Sequence, residues 1–245
     1  MIVVIMQPTY LPWIGYFDLM DTADVFVIFD TVQFEKQAWQ QRNRIKSAEN
    51  ESRWLTVPVI QDLGQKISDV KINNSLSWPR KHWGTIEQYY KRAPYWKMYC
   101  DGLSAIYSRP WDSLLELNVA LIKFIKDQLD IKTELVRASA LPVSGEKVRL
   151  LVNICHYFKA DVYLSPARAA DYIEEDNIFD SEAISLIYHQ YEHPVYAQMF
   201  LGFTPYMSSI DLLFNEGPKS LDIIRSGRLN RDLLLQQKGT QGKDK

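Results

Sequence analysis

Cysteine is scarce in this chain: only Cys100 and Cys155 occur, they form no CxxC pair, and no disulfide framework follows from them. No stretch reaches the ~18 consecutive apolar residues that a membrane-spanning helix needs. The apolar run at 2–6 is too short for the core of a secretory signal and has no basic lead. A cytoplasmic protein without membrane insertion is therefore the expectation. Basic excess is missing too: 28 Lys and Arg stand against 30 Asp and Glu, for a net charge of -2, which argues against a dedicated nucleic-acid binder. No internal repeat is visible.

What is present is an ordinary globular composition, 47% hydrophobic and 24% charged, over 245 residues, enough for a full core as one large domain or one domain with an insertion. The aromatic share, 13%, is high. Trp and Tyr rings line sugar- and nucleotide-binding clefts, and they also fill large cores.

The chain opens on Ile2, Val3, Val4 and Ile5, a buried strand, followed by a turn marked by Pro8 and Pro12 and a helix from about Gly15. A second apolar strand at 24–30 ends in Asp30, and further strands are expected near 133–137, 161–165 and 184–188, with helices between most of them. That pattern predicts an α/β fold: an open, doubly wound, mostly parallel five-stranded sheet of nucleotidyltransferase-like (HUP-like) type. Residues 31–130 read as an insertion over the carboxyl edge of the sheet, within a single domain of residues 1–227. The strands expected in it lie at 54–59, with Pro58 marking an edge, and at 66–72, which alternates. Helices follow from Trp78, with Ser77 as N-cap, and after a cap at Asp112. A helix at 146–158 should bury Val148, Leu151, Val152 and Cys155. The polar stretch 228–245 reads as a mobile tail.

Candidate chemistry gathers where strands feed helices. In the 7–15 turn, Gln7, Thr9, Tyr10 and Gly15 can offer side chains and free backbone N–H groups to a phosphate or carboxylate. Its order, Thr9-Tyr10-Leu11-Pro12 followed after a short spacer by Gly15, resembles the first motif of adenylating nucleotidyltransferases, with Trp13 and Tyr16 where that motif carries histidines. A tight turn that packs Trp13 into the core is the competing reading. Ser208 and Ser209, with Asp211 behind them, open a late helix and can bind phosphate or simply cap it. Arg42, Asn43 and Arg44 belong to a basic, aromatic arm with Lys36 and Trp39 that suits an anion beside a ring, or a solvated strand edge. Ser165 and Arg168 end a strand at the same edge. His82, His189 and His193 are candidate proton carriers and Asp30 a candidate orienting carboxylate. No metal is expected, because no carboxylate or Cys stands at ligand spacing from the histidines.

Taken together, several segments resemble the WbqC family. They are the 7–17 run, Phe29-Asp30-Thr31-Val32-Gln33-Phe34, Arg42-Asn43-Arg44-Ile45-Lys46, the 54–59 run, Lys81-His82-Trp83 and Tyr163-Leu164-Ser165. Tyr191 with His193-Pro194, and Met207-Ser208-Ser209 running on to Gly217, complete the set. One departure is Pro166, where relatives often carry Gly. The resemblance implies a bacterial protein associated with surface polysaccharide (O-antigen-type) biosynthesis. With the residue reading, it points to a transferase acting on a nucleotide-activated sugar, by acyl or aminoacyl transfer to a sugar amine. The expected ligand is a nucleotide or nucleotide-sugar. An adenylating enzyme and a non-catalytic scaffold of an assembly pathway are the alternatives.

Overall fold

A computed structural model describes residues 1–47, 51–167 and 178–229. Strand β1 (Ile2–Met6) runs into helix α1 (Ile14–Thr22) and returns as β2 (Val25–Ile28). The region that follows carries two antiparallel pairs, β3 (Arg42–Lys46) with β4 (Ser52–Thr56) and β5 (Val59–Ile60) with β6 (Lys71–Ile72). Three helices come next: α2 (Trp78–Tyr90), α3 (Trp96–Tyr107) and α4 (Leu114–Gln128). The chain re-enters the central sheet as β7 (Glu134–Arg137), then forms α5 (Lys147–Tyr157), β8 (Val162–Ser165), the short α6 (Ile178–Ser181) and β9 (Ser185–Tyr188). Helices α7 (Ser209–Glu216) and α8 (Ser220–Ser226) close the described chain.

The central sheet has the order β7-β2-β1-β8-β9, and every pair in it is parallel. β1 and β2 read as unbroken apolar runs because each is covered on both faces, as parallel strands are. Ile2, Val4, Phe26, Ile28 and Leu164 pack with α1, α4 and α7 on one face. Val3, Ile5, Val25, Val27 and Tyr163 pack with α5 on the other. The expected α5 stripe, Val148, Leu151, Val152 and Cys155, is buried there, and burial pushes the Cys155 thiol up to about 12. The fold is thus the expected α/β type, with helices flanking a five-stranded parallel sheet.

Four local expectations are corrected. The 54–59 strand is two strands, β4 and β5, because Pro58 has no N–H to continue a ladder. Residues 66–72 hold a 3-10 turn at Ile67–Asp69 before β6, so the alternation there reports a turn with buried Ile67 and Val70, not one strand. Ser77 makes no side-chain capping bond, since Pro79 in the first turn already removes one orphan N–H. Ser113, not Asp112, caps α4, accepting from the Glu116 N–H at 3.3 Å in a Ser-x-x-Glu arrangement. The chain also stays attached past 227: Arg228 bonds to α1, and the Leu229 N–H donates to the Gln190 carbonyl at 3.1 Å.

The loop between β1 and α1 is held from several sides. The Tyr10 N–H donates to the Trp39 carbonyl at 2.9 Å, and Asn43 Nδ2 donates to the Leu11 carbonyl at 2.6 Å. Asn118 Nδ2 bonds the Gln40 carbonyl at 2.7 Å and the Pro8 carbonyl at 3.4 Å. The Ser209 N–H donates to the Pro12 carbonyl at 2.9 Å. These bonds hold Leu11, fully buried, at φ 45, a left-handed conformation that a branched side chain adopts only where its surroundings impose it. One turn later the Trp13 indole lies across Gly15: a Cβ at Gly15 would stand 2.3 Å from its ring.

Gly15→Ala should therefore cost about 1–3 kcal/mol by overpacking. In a Trp13→Ala background the same change should become neutral or stabilising, since Ala favours a helix over Gly. Urea unfolding of the double-mutant cycle measures this; an equal cost in both backgrounds would mean that the indole is not what excludes the methyl.

Candidate functional site

In a sheet of this order the chain reverses direction between β1 and β8, and the crevice at the carboxyl ends of those strands is where such folds take ligands. Continuing the register brings Met6, Pro166 and His189 level across β1, β8 and β9. His189 therefore stands two strand spacings, roughly 10 Å, from the end of β1. Its N–H donates to the Ser165 carbonyl at 2.8 Å. Ser165 is buried and its hydroxyl has no hydrogen-bond partner among the described residues. Arg168 lies outside the described residues.

The three histidines have different surroundings. His82 is buried on α2: its Nδ1 accepts from the Tyr10 hydroxyl at 2.8 Å, and the ring also bonds the Thr56 backbone carbonyl. Burial drives it to about 4, so it is a neutral ring at physiological pH. The Tyr10 hydroxyl is shared with that of Tyr107, and burial raises both phenols. His193 is held at both nitrogens, with Nδ1 on the Pro194 carbonyl at 2.9 Å and Nε2 accepting the Tyr206 N–H at 3.1 Å. Burial lowers its pKa as well. Its ring stacks on Trp13 at 6.2 Å.

His189 is arranged differently. Its Nε2 meets Asp18 Oδ2 at 2.8 Å, and Arg228 takes the other oxygen of Asp18 at 2.8 Å from NH2 and 3.0 Å from Nε. Asp18 is fully buried on α1, and Tyr191 stacks on the imidazole at 5.4 Å. Among the described residues no hydrogen bond reaches Nδ1 of His189. His189 is as buried as His82, and a carboxylate at one nitrogen with no protein partner at the other is how a proton-transferring imidazole is oriented. Asp18 and Arg228 were absent from the sequence reading. The signal for Asp18 was its place between apolar Phe17 and Leu19 in a helix that is buried nearly all round.

Asp30 is buried and accepts from Ser139 twice, from the N–H at 2.9 Å and the hydroxyl at 2.6 Å. It ties the end of β2 to the turn after β7, a cap rather than a free carboxylate. Asp211 accepts from Tyr90 at 2.7 Å and from Tyr196 and Gln198 at 2.8 Å each; burial raises it despite these donors. Lys46, buried beside it, is lowered by its own burial and donates to the Phe200 and Gly202 carbonyls. The group holds the 196–204 segment onto α7.

The first turn lies against the late serine pair, where Trp13 and Ser208 form an antiparallel bridge. They meet by direct bonding. The Ser208 N–H goes to the Arg44 carbonyl at 2.8 Å, the Ser209 N–H to Pro12, and the Ser208 hydroxyl caps Ile210. The start of α7 is thus occupied from within, with both serines buried. Tyr10 and Asn43 are likewise spent on the loop.

The outward-facing set is Gln7, exposed at the end of β1, half-buried Thr9, and Arg42 and Arg44. Gln7 accepts from Gln40 Nε2 at 2.8 Å, which joins it to the segment bearing Trp39. Arg42 and Arg44 share one face of β3, with Trp54 opposite Arg44 on β4. The guanidinium of Arg42 lies 4.4 Å and that of Arg44 5.6 Å from the centre of the Trp54 ring. Trp39 packs on Trp54 at 5.5 Å, and both indoles are exposed, at 41% and 46%. The arginines bonded to carboxylates among the described residues are Arg137, Arg149, Arg225 and Arg228. Arg42 and Arg44 are therefore cations without an acidic partner in that set. Trp54, a strand residue by sequence, is their platform.

These features define an open, doubly wound α/β protein with a candidate ligand rim at the carboxyl edge of its sheet. The chain belongs to the WbqC-like protein family, which matches residues 7–223. It is similar to the uncharacterized protein Rv1507c of Mycobacterium tuberculosis, 36% identical over 228 residues that cover 91% of this chain and 97% of the relative. No solved structure gives a significant match. Among the described residues no helix is long and apolar enough to cross a membrane.

The displaced pKa of His82 has a consequence for stability. The ring titrates near 6.5 when unfolded and near 4 when folded, so the unfolded chain binds more protons between those values. Its contribution should be complete above about pH 6.5 and be lost as pH falls toward about 4, by up to roughly 3 kcal/mol. Urea unfolding from pH 7.5 to 4.5 should show that slope, and His82→Gln should flatten it. An unchanged slope in the variant would place the titration elsewhere.

Proposed function

We propose that this protein is a transferase of bacterial surface glycoconjugate biosynthesis that acts on a nucleotide-activated sugar, transferring an acyl or aminoacyl group to a sugar amine. The reading is carried by one observation: two arginines without acidic partners among the described residues lie over exposed Trp54, which Trp39 packs against, and Gln40, next to Trp39, bonds Gln7 at the end of β1. Guanidinium groups suit the diphosphate of the activated sugar, and the indoles suit the base or the sugar ring. Gln7 and Thr9 are the polar groups offered at the crevice; the buried Ser165 hydroxyl below it is unpartnered among the described residues, with Arg168 following Ser165 in sequence.

His189 carries the proton. As the sugar amine forms a bond to the acyl carbon of an activated donor, the bond to the leaving group breaks and the leaving group departs with its electron pair. Nδ1 of His189 takes the proton that the amine loses, and Asp18 on Nε2 stabilises the resulting imidazolium. Family membership supports the polysaccharide setting. Adenylation is less well supported: the Trp13 indole covers Gly15 where the related motif approaches phosphate.

Titration calorimetry with UDP- and dTDP-linked amino sugars should give saturable binding, weakened at least tenfold by Arg42→Ala with Arg44→Ala. With activated acyl donors present, mass spectrometry should find the acylated sugar. His189→Gln should lower its formation by about 100-fold or more while leaving binding near wild type. A folded protein that binds none of these sugars would remove the proposal. Pyrophosphate release from ATP would favour adenylation, and binding unaltered by the arginine changes would move the site.

A further inference from the structure

A second concavity lies between the start of α2 and the end of α3. It is an open depression of about 390 Å³ lined by Ser77, Pro79, Arg80, Trp83, Tyr107 and Ser108. Small-molecule sites run from about 300 to 1,000 Å³, so this one suits a single sugar ring better than a nucleotide-sugar. Two of its lining residues are aromatic and fixed. Trp83 stacks on Trp96 at 5.4 Å, and the Tyr107 ring sits 6.3 Å from Trp83. The Tyr107 hydroxyl is spent on Tyr10 and its side chain is buried, so it forms the floor of the concavity and Trp83 is the ring that a ligand meets. The Ser108 hydroxyl donates to the Ser104 carbonyl at 2.9 Å and keeps its acceptor lone pairs, and Ser77 makes no side-chain capping bond. Arg80 is exposed and has no ion-pair partner among the described residues. Among the described residues no carboxylate lines it.

We infer that this cavity binds a pyranose carrying one anionic group. The exposed part of the Trp83 ring packs against the C–H face of the sugar, the two serines meet its hydroxyls, and the Arg80 fork takes a carboxylate or phosphate. The site is distinct from the rim that bears Arg42 and Arg44, and it stands or falls independently of the transferase reading. Of the groups that line it, only Arg80 is charged, so charge selectivity rests on one exposed side chain whose replacement leaves the core untouched.

The test is saturation-transfer NMR and calorimetry on the full-length protein with glucuronate, glucose 6-phosphate, glucose and inorganic phosphate. One or both anionic sugars should bind saturably and at least tenfold more tightly than glucose; which of them does so separates a carboxylate ligand from a phosphorylated one. Arg80→Gln, shown to be folded by circular dichroism, should erase that preference, while Arg42→Ala should retain it. The inference is overturned if neither anionic sugar saturates, if Arg80→Gln binds them as wild type does, or if inorganic phosphate alone binds as tightly as the sugars. Because the rim is tested with nucleotide-sugars and Arg42 and Arg44, a failure here leaves that reading standing.

Discussion

The structure depends on how the loop between β1 and α1 is bonded. The carbonyls of Pro8, Leu11 and Pro12 are taken by Asn118, Asn43 and the Ser209 N–H, groups from three distant parts of the chain. An unpaired buried carbonyl would cost on the order of 1–3 kcal/mol, so each of these bonds matters more for being kept than its net strength suggests. Together they offset the left-handed Leu11 and bring α4, β3 and the start of α7 to one point on the carboxyl edge. The rim inherits its shape from that point, because the Arg44 carbonyl and the Trp39 carbonyl both belong to it.

This bonding divides the polar residues into two sets. Tyr10, Asn43, Ser208, Ser209 and Asp211 are the right residue types for ligand binding, yet they are buried, and apart from the Ser209 hydroxyl their side-chain groups are satisfied within the protein. Burying such groups is tolerable only when they are paired, and pairing removes them from solvent chemistry. What remains is narrower: Gln7 and the Arg42 and Arg44 pair with its two indoles at the surface, and the buried imidazole of His189 backed by Asp18. Truncating one member of the buried Asp18, His189 and Arg228 group would strand a charge, so the same residues join the last described segment to α1 and orient the candidate base.

The centre of the parallel sheet was legible in sequence because β1, β2 and β8, buried on both faces, leave apolar runs, and the α5 stripe because Val148, Leu151, Val152 and Cys155 recur at helical spacing. Elements shorter than the period used to detect them were not: β5 and β6 have two residues each, and the 3-10 turn at Ile67–Asp69 mimics alternation. The cap of α4 was misplaced by one residue because Asp112 and Ser113 are both good caps, and only Ser113 has Glu116 at the reciprocal spacing. The roles of Asp18, Arg228, Trp54 and Tyr107 were hidden for a different reason. Each acts through a partner far away in sequence, such as Asp18 with His189, and periodicity carries no information about such pairs.

The most direct measurement is a crystal structure of the protein soaked with a dTDP-linked amino sugar. The account predicts ligand density along the carboxyl edge, with phosphate oxygens within hydrogen-bond distance of Arg42 or Arg44, a ring against Trp54 or Trp39, and the sugar amine beside His189 Nδ1. Density that lies elsewhere, or a sugar amine out of reach of His189, would contradict it.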